Sequence, residues 1–496
     1  MIKRIEKNFH LRYNKTIETP DIPVQHLQGS EGDEKIFHPN ILRRTTLMKK
    51  ALAIAMAGTM ALSMAACGAS GTSSSQSTSS TAQGSSSTSG ASAGATEITL
   101  WTYPIGQWQK EETVNGFIAA FNEEHPDIKV KVEYLDYTNG DDKVTTAIEA
   151  KNTPDIIFEG PERLVSNWGA KGLMVDLSDL WTEEATEDIT ATSPSVVSAC
   201  KGSDGVFYEY PMCMTAHNMA INYEVFEQAG ALQYIDEETR SWTTEDFEKA
   251  LQAVKDSGLV QTPAIVYCGG QGGDQGTRAL VNNLYSGKFT NAEHTAYTAD
   301  SAENVKALEK LQEWNKSGLV TFDPALQASD ELQLFANGTV AMTLCWNASN
   351  EATYASQAAF TPYAMNFPSD DGKAELCGGI WGFGIFNNGD EAKIEAAKEF
   401  IRFVCDDETQ GPASVAATGF FPVRASFGNV YEGSDSAERM ATFAIFLPNM
   451  GDYYNVTGGW TEQRTAWWNM LQKVGNGTAV TDAVAEYVTT SNAAIK

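Results

Sequence analysis

The order of predicted elements in residues 97–158 restricts the possible folds more than any other feature of this sequence. A short run rich in β-formers is followed by a segment of helical period, a strictly alternating run, a second helical segment and a buried apolar run. These elements are Glu97–Trp101, Gly116–Glu124, Ile128–Tyr134, Val144–Ala150 and Pro154–Phe158. This alternation of strands and helices predicts a parallel sheet wrapped by helices.

Such a sheet also indicates where a ligand is expected. In open α/β sheets, ligands lie beyond the carboxyl ends of the strands. Trp101–Tyr103 and Glu159–Arg163 end or follow predicted strands, so we expect them at the edge of a site. Further along the chain, the sequence predicts helices over Thr243–Val254, Ala302–Lys316 and Glu391–Val404, and strands over Val340–Leu344 and Ile380–Phe386.

A leader and a linker are predicted before this body. Met48-Lys49-Lys50 precedes sixteen uncharged residues, Ala51–Ala66, and then Cys67. Lysines, a short apolar run and small residues before the break are typical of a signal peptide. The serine-rich, uncharged segment that follows Cys67 is typical of a flexible tether.

The break itself resembles a bacterial lipobox. It reads Ser63-Met64-Ala65-Ala66-Cys67-Gly68, with Met64 in place of the usual leucine. The resemblance implies cleavage before Cys67 and lipidation of its thiol and amino group. We therefore expect an anchor on the extracellular face of the cytoplasmic membrane, as in Gram-positive bacteria, with the membrane contacted through lipid alone.

Residues 1–47 do not fit this organisation. A signal peptide is expected to begin at the N-terminus, whereas this stretch is polar and unpatterned. Our hypothesis is that Met48 is the true start and that residues 1–47 are a non-native upstream extension.

Charge and motifs exclude several function classes. The formal net charge of −29 argues against nucleic acid as a partner, because phosphates require basic surfaces. The six histidines show no metal-ligand spacing, and the zinc-protease, P-loop and nucleophile-elbow motifs are absent. We therefore expect no metal and no cofactor. The acidic loop Asp136–Asp142 lacks the calcium-loop pattern and is predicted to be solvated.

A set of ordered segments resembles one family. They include FIAAFNEEHPDIKVKVEY, NTPDIIFEGPERLVSNWG, YPMCMTAHNMAINYEVFEQAG, SWTTEDFEKAL, LFANGTVAMTLCW, GGIWGFGIF, TGFFPV and VGNGTAVTDAVAEYV. The body resembles an extracellular solute-binding protein of the carbohydrate-importing ATP-binding cassette type, the class that includes maltose-binding proteins.

The resemblance implies a two-lobed, periplasmic-binding-protein-like α/β fold. Each lobe would be a helix-wrapped sheet, with hinge strands between them. The chain would act as a monomeric, non-enzymatic receptor that delivers a mono- or oligosaccharide to membrane permease subunits. The predicted divisions are 1–47 extension, 48–66 signal peptide, 67–96 lipidated cysteine and tether, 97–212 plus 380–426 lobe 1, and 213–379 plus 427–496 lobe 2.

Several candidate ligand-binding residues follow from the resemblance. Glu162 and Arg163 match the family's acid–arginine pair, and Glu159 stands where an aromatic residue is usual. Trp346 and Trp460 match stacking tryptophans, and Thr215 stands where a sugar-binding glutamate is common. The alternative is that Glu162 and Arg163 are a solvated pair at a helix N-terminus, and that the tryptophans belong to the core.

Other candidates rest on residue type and position alone. Aromatic rings can cover the apolar face of a sugar, and amides or carboxylates can bind its hydroxyls. Tyr103, Trp108 and Trp381 are candidates of the first kind, with the core as the alternative. Gln271 and Asp274 of a glycine-rich stretch are candidates of the second kind, with a plain loop as the alternative.

Two functions from other classes stay open at this point. A secreted glycoside hydrolase would also be acidic and rich in tryptophan, and it needs only two suitably spaced carboxylates. An adhesin or sensor lipoprotein would bind a ligand without handing it over. Turnover of the sugar distinguishes a hydrolase from a binding protein.

Overall fold

The computed structural model describes residues 95–137, 139–270 and 272–495. The predicted extension, the signal peptide, Cys67 and Gln271 lie outside the described residues. Among those described, no helix has the length and apolarity that crossing a membrane requires.

The strands form three sheets in two lobes. A six-stranded sheet has the order β11-β4-β10-β3-β1-β2, a second sheet has the order β8-β5-β9, and β6 pairs with β7. The strands are β1 (Thr96–Thr102), β2 (Ile128–Tyr134), β3 (Ile156–Glu159), β4 (Tyr210–Ala216), β5 (Asn218–Asn222), β6 (Ala264–Tyr267), β7 (Val320–Asp323), β8 (Met342–Trp346), β9 (Pro362–Met365), β10 (Gly378–Ile385) and β11 (Phe421–Pro422).

The predicted parallel sheet is present but is extended by antiparallel strands. β1 pairs in parallel with both β2 and β3. β10 then runs antiparallel to β3 and to β4, and β11 runs antiparallel to β4. Every residue of β3 is buried, as expected for a strand that is covered on both faces.

Fifteen labelled α-helices of the described residues cover these sheets. They are α1 (Glu111–Glu124), α2 (Gly140–Glu149), α3 (Glu183–Thr192), α4 (Pro194–Ala199), α5 (Tyr223–Gln228), α6 (Thr244–Ser257), α7 (Asp274–Leu284), α8 (Ala302–Ser317), α9 (Ala328–Ala336), α10 (Ala348–Tyr354), α11 (Glu391–Cys405), α12 (Gln410–Thr418), α13 (Ala437–Ala444), α14 (Trp460–Gly475) and α15 (Val480–Ala494). A short helical segment, Pro161–Arg163, continues into a π-helical turn, Leu164–Gly169.

The helix ends follow the local sequence. The Thr243 hydroxyl accepts a hydrogen bond of 3.0 Å from the Asp246 backbone N–H and so caps α6. Gly318 ends α8 in the left-handed conformation with φ of +72°, where a residue without a side chain is favoured.

The chain passes between the two lobes at His217. This residue separates β4 of the six-stranded sheet from β5 of the three-stranded sheet. Its backbone N–H donates to the carbonyl of Cys377, 3.0 Å away, just before β10 begins. Two adjacent crossing segments therefore form the hinge region, while the exact lobe boundaries stay a prediction.

Candidate functional site

A cavity of about 360 Å³ lies between the lobes. The six-stranded lobe contributes both carboxylates and aromatic rings to its wall, and the second lobe contributes mainly amides, hydroxyls and small residues. The first group is Tyr137, Glu159, Glu162, Arg163 and Trp381, and the second group includes Gly272, Gly273, Gln275, Gln327, Ser329, Cys345, Asn347, Asn350, Trp460 and Arg464.

The segment after β3 places the first acidic residues at this cavity. Glu159 ends β3, and Pro161 then begins the short helical segment, where its fixed φ suits the first turn. Gly160 lies between them, and a Cβ there would come within 2.8 Å of the Ile380 carbonyl oxygen. The chain can therefore turn tightly past β10 only with glycine at this position.

Arg163 is the centre of a buried ion-pair network. Its Nη1 donates to Glu159 Oε1, four residues earlier in the chain, at 2.6 Å. Its Nε and Nη2 donate to the two carboxylate oxygens of Asp141 at 2.7 and 3.0 Å. The arginine is only 3% exposed, so the alternative of a solvated surface pair for Glu162 and Arg163 is wrong.

The acidic loop Asp136–Asp142 is not simply solvated, which corrects the prediction. Asp141 binds Arg163 and also accepts a hydrogen bond from the Tyr103 hydroxyl at 2.7 Å. Burial raises the pKa of Asp141, but the Arg163 charge and the hydrogen bonds from Arg163 and Tyr103 together outweigh burial and hold that pKa below its ordinary value. Asp141, in the first turn of α2, therefore helps to orient Arg163 instead of facing only water.

Glu159 has an unusual environment. It is 1% exposed, and its Oε2 has no hydrogen-bond partner among the described residues. Burial raises its pKa above the ordinary range, although the Arg163 charge acts in the opposite direction. Glu162, next in the segment, accepts a hydrogen bond of 2.7 Å from the Tyr453 hydroxyl.

Trp460 reaches the cavity wall, as predicted, but two guanidinium groups cover it. The guanidinium carbons of Arg163 and Arg464 each lie 4.7 Å from its ring centroid. The residue is 4% exposed. Its role in this structure is therefore a cation–π contact with two arginines, and little of its ring faces the cavity.

Asp274 lies behind the wall. Its carboxylate accepts from Arg464 Nε at 2.9 Å and pairs with Arg278 Nη2 at 3.0 Å. Asp274 orients Arg464, a cavity residue that was not among the predicted site residues. The contact between Arg464 and Asp274 could not be predicted from the spacing of charged residues, because the two residues are 190 positions apart in the sequence.

Trp346 is a core residue, which corrects its assignment to the ligand site. It is fully buried, its ring contacts Phe335 edge-to-face at 5.4 Å, and its indole N–H donates to Glu351 at 3.3 Å. Side chains alternate along a strand. Cys345, the preceding residue of β8, therefore faces the cavity while Trp346 faces the core.

Three further candidates also lie away from the cavity wall. Trp108 is fully buried against Phe117 and Phe158, so it is a core residue. Thr215 is 1% exposed, and its hydroxyl turns to the Ala216 carbonyl at 3.4 Å. Tyr103 is fully buried and acts through its hydrogen bond to Asp141.

Two aromatic residues do present rings to the cavity. Trp381, a predicted candidate, is half-buried and stacks on Phe420 with centroids 4.6 Å apart. Tyr137 is 38% exposed and stacks on Tyr103 at 5.1 Å. Tyr137 was not among the predicted site residues, although its place just after the carboxyl end of β2 was a signal for it.

His217 is the hinge residue that lines the cavity, and it was also missed. Burial lowers its pKa to about 4, so the imidazole is neutral at physiological pH. Its Nε2 has no hydrogen-bond partner among the described residues. A neutral imidazole offers one donor and one acceptor to a polar ligand.

Comparison of the sequence with models of known protein families identifies the family of this chain. The model for bacterial extracellular solute-binding proteins matches residues 116–444. The chain belongs to this family. The family predicted from the ordered segments is thereby confirmed, and a search of curated protein sequences finds no significant match.

Solved structures show the same fold at low sequence identity. An ABC substrate-binding protein from Listeria monocytogenes in complex with cycloalternan is 20% identical, with a TM-score of 0.62 over 80% of this chain and 98% of that chain. A solute-binding protein from Thermotoga lettingae bound with α-D-tagatose is 19% identical, with a TM-score of 0.63 over 81% and 100%. A cyclic α-maltosyl-1,6-maltose binding protein from Arthrobacter globiformis is 18% identical, also with a TM-score of 0.63 over 81% and 100%. The predicted two-lobed solute-binding fold is confirmed.

In this solute-binding protein, the described residues contain no group of three or more His, Cys, Asp or Glu side chains arranged to hold a metal ion. The cavity instead offers hydrogen-bond donors, hydrogen-bond acceptors and aromatic surface. These groups suit the binding of a small polar organic molecule.

Proposed function

We propose that this solute-binding protein is a lipid-anchored extracellular receptor that binds a carbohydrate between its lobes and delivers it to the permease of an ATP-binding cassette importer. The observation that carries the proposal is the composition of the interlobe cavity. Tyr137 and Trp381 offer aromatic surface beside the planar polar groups of Glu162, Arg163 and the second lobe's amides.

This combination suits a pyranose or furanose ring. The C–H face of a sugar packs against an aromatic ring, while carboxylates, guanidinium groups and amides bind its hydroxyls. Gln327, Asn347 and Asn350 supply amides from the lobe opposite Glu162 and Arg163. A sugar in the cavity would therefore contact both lobes at once.

The solved relatives support the same ligand class. Proteins with this fold bind cycloalternan, α-D-tagatose and cyclic α-maltosyl-1,6-maltose. The match of this chain to the family of extracellular solute-binding proteins favours reversible binding over hydrolysis.

Contacts with both lobes give a mechanism for closure. A ligand shifts a conformational equilibrium only through unequal affinity for the two states. A sugar held by both lobes stabilises the closed state more than the open one, and the closed form then docks on the permease. The proposed lipid anchor at Cys67 would keep the receptor at the extracellular membrane surface, as a monomer.

A thermal-shift screen against neutral and charged mono- and oligosaccharides tests the proposal. A ligand at 100 times its dissociation constant stabilises the folded state by about 2.7 kcal/mol. Each hit is then incubated with the protein and analysed by chromatography. Stabilisation with full recovery of the unchanged sugar supports the receptor, cleavage of the sugar supports a hydrolase, and the absence of any carbohydrate hit contradicts the proposal.

A further inference from the structure

Three glutamates lie close together at the six-stranded side of the cavity, where Arg163 is the arginine that pairs with two of them. Glu159 and Glu162 line the cavity, and Glu209 lies behind them. Glu209 is fully buried, and neither of its carboxylate oxygens has a hydrogen-bond partner among the described residues. Burial raises the pKa of Glu209 well above its ordinary value, and the nearby charges of Glu162 and Glu159 raise it further.

Arg163 alone cannot balance the charges of these glutamates. Its guanidinium already binds both oxygens of Asp141 and one oxygen of Glu159, and Glu162 Oε1 lies 3.9 Å from its Nη1. Arg163 is therefore shared by Asp141, Glu159 and Glu162, while Glu209 lies near the two other glutamates without an ion-pair partner among the described residues. The second oxygen of Glu159, buried and without a partner, remains at the cavity wall.

The wall of the cavity formed by the second lobe has an excess of positive charge. Arg464 and Arg278 share the single carboxylate of Asp274. The charge of Arg464 also acts on Glu159 across the cavity, and the excess of carboxyl groups over cations lies on the six-stranded lobe, where Glu159 lines the cavity. An ionised Glu159 accepts a hydrogen bond at its free oxygen, and a positively charged donor placed there favours this ionised form over the protonated form that burial favours.

We propose that the ligand of this site is a sugar that carries a protonated amine, with the ammonium group placed against Glu159. This inference rests on the proposed carbohydrate-binding function and narrows its ligand class. Tyr137 and Trp381 would then hold the sugar ring, while Glu159 and Glu162 receive the amine. Neutral sugars would leave the buried oxygen of Glu159 with only an uncharged hydroxyl donor.

Matched sugar pairs test the inference directly. Calorimetric titrations compare glucosamine, galactosamine and mannosamine, and the dimer of glucosamine, with the corresponding neutral sugars and with their N-acetylated forms. The titrations use a buffer without amines, at a near-neutral pH where most of the sugar amine is protonated and Glu159 is not driven further towards its protonated form. We expect the amine form of at least one pair to bind at least about tenfold more tightly, because a charge-assisted hydrogen bond is roughly twice as strong as a neutral one.

The variant Glu159→Gln removes the charge and keeps the shape of the side chain. It should bind the neutral and amine sugars equally well. Glu245→Gln is the matched control, since it removes one exposed carboxylate far along the chain in α6 and should keep the preference for the amine. If Glu159→Gln does not fold, the comparison of sugar pairs on the native protein decides the question alone.

The outcomes separate the two proposals. Equal or tighter binding of the neutral or acetylated sugars overturns the amine inference and leaves the carbohydrate receptor intact. If the wider thermal-shift screen finds only neutral sugars that bind, the amine inference is likewise overturned and the proposed receptor function stands. Binding of no carbohydrate of any kind overturns both proposals.

Discussion

The guanidinium carbon of Arg163 lies 4.7 Å from the ring centroid of Trp460, and this contact joins the two lobes at the base of the cavity. Arg163 follows β3 of the six-stranded sheet, whereas Trp460 begins α14 on the other side of the cleft. The same arginine binds Asp141 and Glu159. One buried side chain therefore links the ligand wall, the acidic loop and the second lobe.

Loss of Arg163 should be costly. In Arg163→Met, Glu159 and Asp141 lose their shared cation, and the break of a buried ion pair costs roughly 3–5 kcal/mol. Chemical denaturation should show this loss in the free energy of unfolding. The double variant Arg163→Met/Glu159→Gln should regain part of it, and a double variant no more stable than the single one would contradict the account.

Two tryptophans should behave in opposite ways. Trp381→Ala removes a ring from the cavity wall and should weaken sugar binding by about 10- to 30-fold, because roughly 60–80 Å² of apolar contact at ~25 cal/mol per Å² is lost. Trp346→Ala removes a core ring and should cost ~3–5 kcal/mol of stability.

The folded fraction of Trp346→Ala should still bind the sugar with near-native affinity. Melting and calorimetric titration on the same two variants measure both quantities. Normal binding by Trp381→Ala, together with weakened binding by Trp346→Ala, would mean that the assignment of these residues is reversed.

The pH dependence of stability should reveal a buried acid in α9. Glu331 is fully buried and accepts hydrogen bonds from the Thr343 hydroxyl at 2.6 Å and the Leu344 N–H at 2.9 Å. Burial raises its pKa to about 8, and these hydrogen bonds only partly offset the effect. The folded protein therefore keeps a proton that the unfolded chain releases above its ordinary pKa of 4.5.

The sign follows from linkage. This contribution to stability is fully present below pH 4.5 and is lost as the pH rises towards 8, with a slope of up to ~1.4 kcal/mol per pH unit for one proton. Glu331→Gln should reduce this slope in urea denaturation curves measured across the range. An unchanged slope would show that Glu331 is ionised in the folded state.

Cys67→Ser tests the predicted anchor, which lies outside the described residues. The substitution removes the thiol that would carry the lipid, so the protein should leave the membrane fraction for the culture medium. The matched control is Cys405→Ser, which keeps the lipidation cysteine and should stay with the membrane. Membrane attachment of Cys67→Ser would argue against lipidation at this residue.

Local sequence patterns were sufficient to predict many of the strands and helix ends. The alternation of Ile128–Tyr134 predicted β2 residue for residue, because one half-exposed strand has a clear period of two. Thr243 and Gly318 predicted helix ends because their capping chemistry is local. The three antiparallel strands at the edge of the six-stranded sheet left no such signal, since their pairing depends on contacts distant in sequence.

The site was predicted in part for the same reason. Glu159, Glu162 and Arg163 follow a recognisable strand, and a short motif fixes their positions. Asp141 reaches Arg163 across 22 residues, and this contact depends on tertiary packing. Trp346 was wrongly assigned to the ligand site, because the sequence does not reveal which face of β8 turns to the cavity and which to the core.

A crystal structure of the protein grown with the best sugar from the thermal-shift screen tests the central claim most directly. The account predicts density for an intact sugar in the interlobe cavity, with its ring against Trp381 or Tyr137 and its polar groups in contact with Glu159, Glu162 or Arg163. Sugar bound elsewhere on the surface, with this cavity holding only water, would contradict the account.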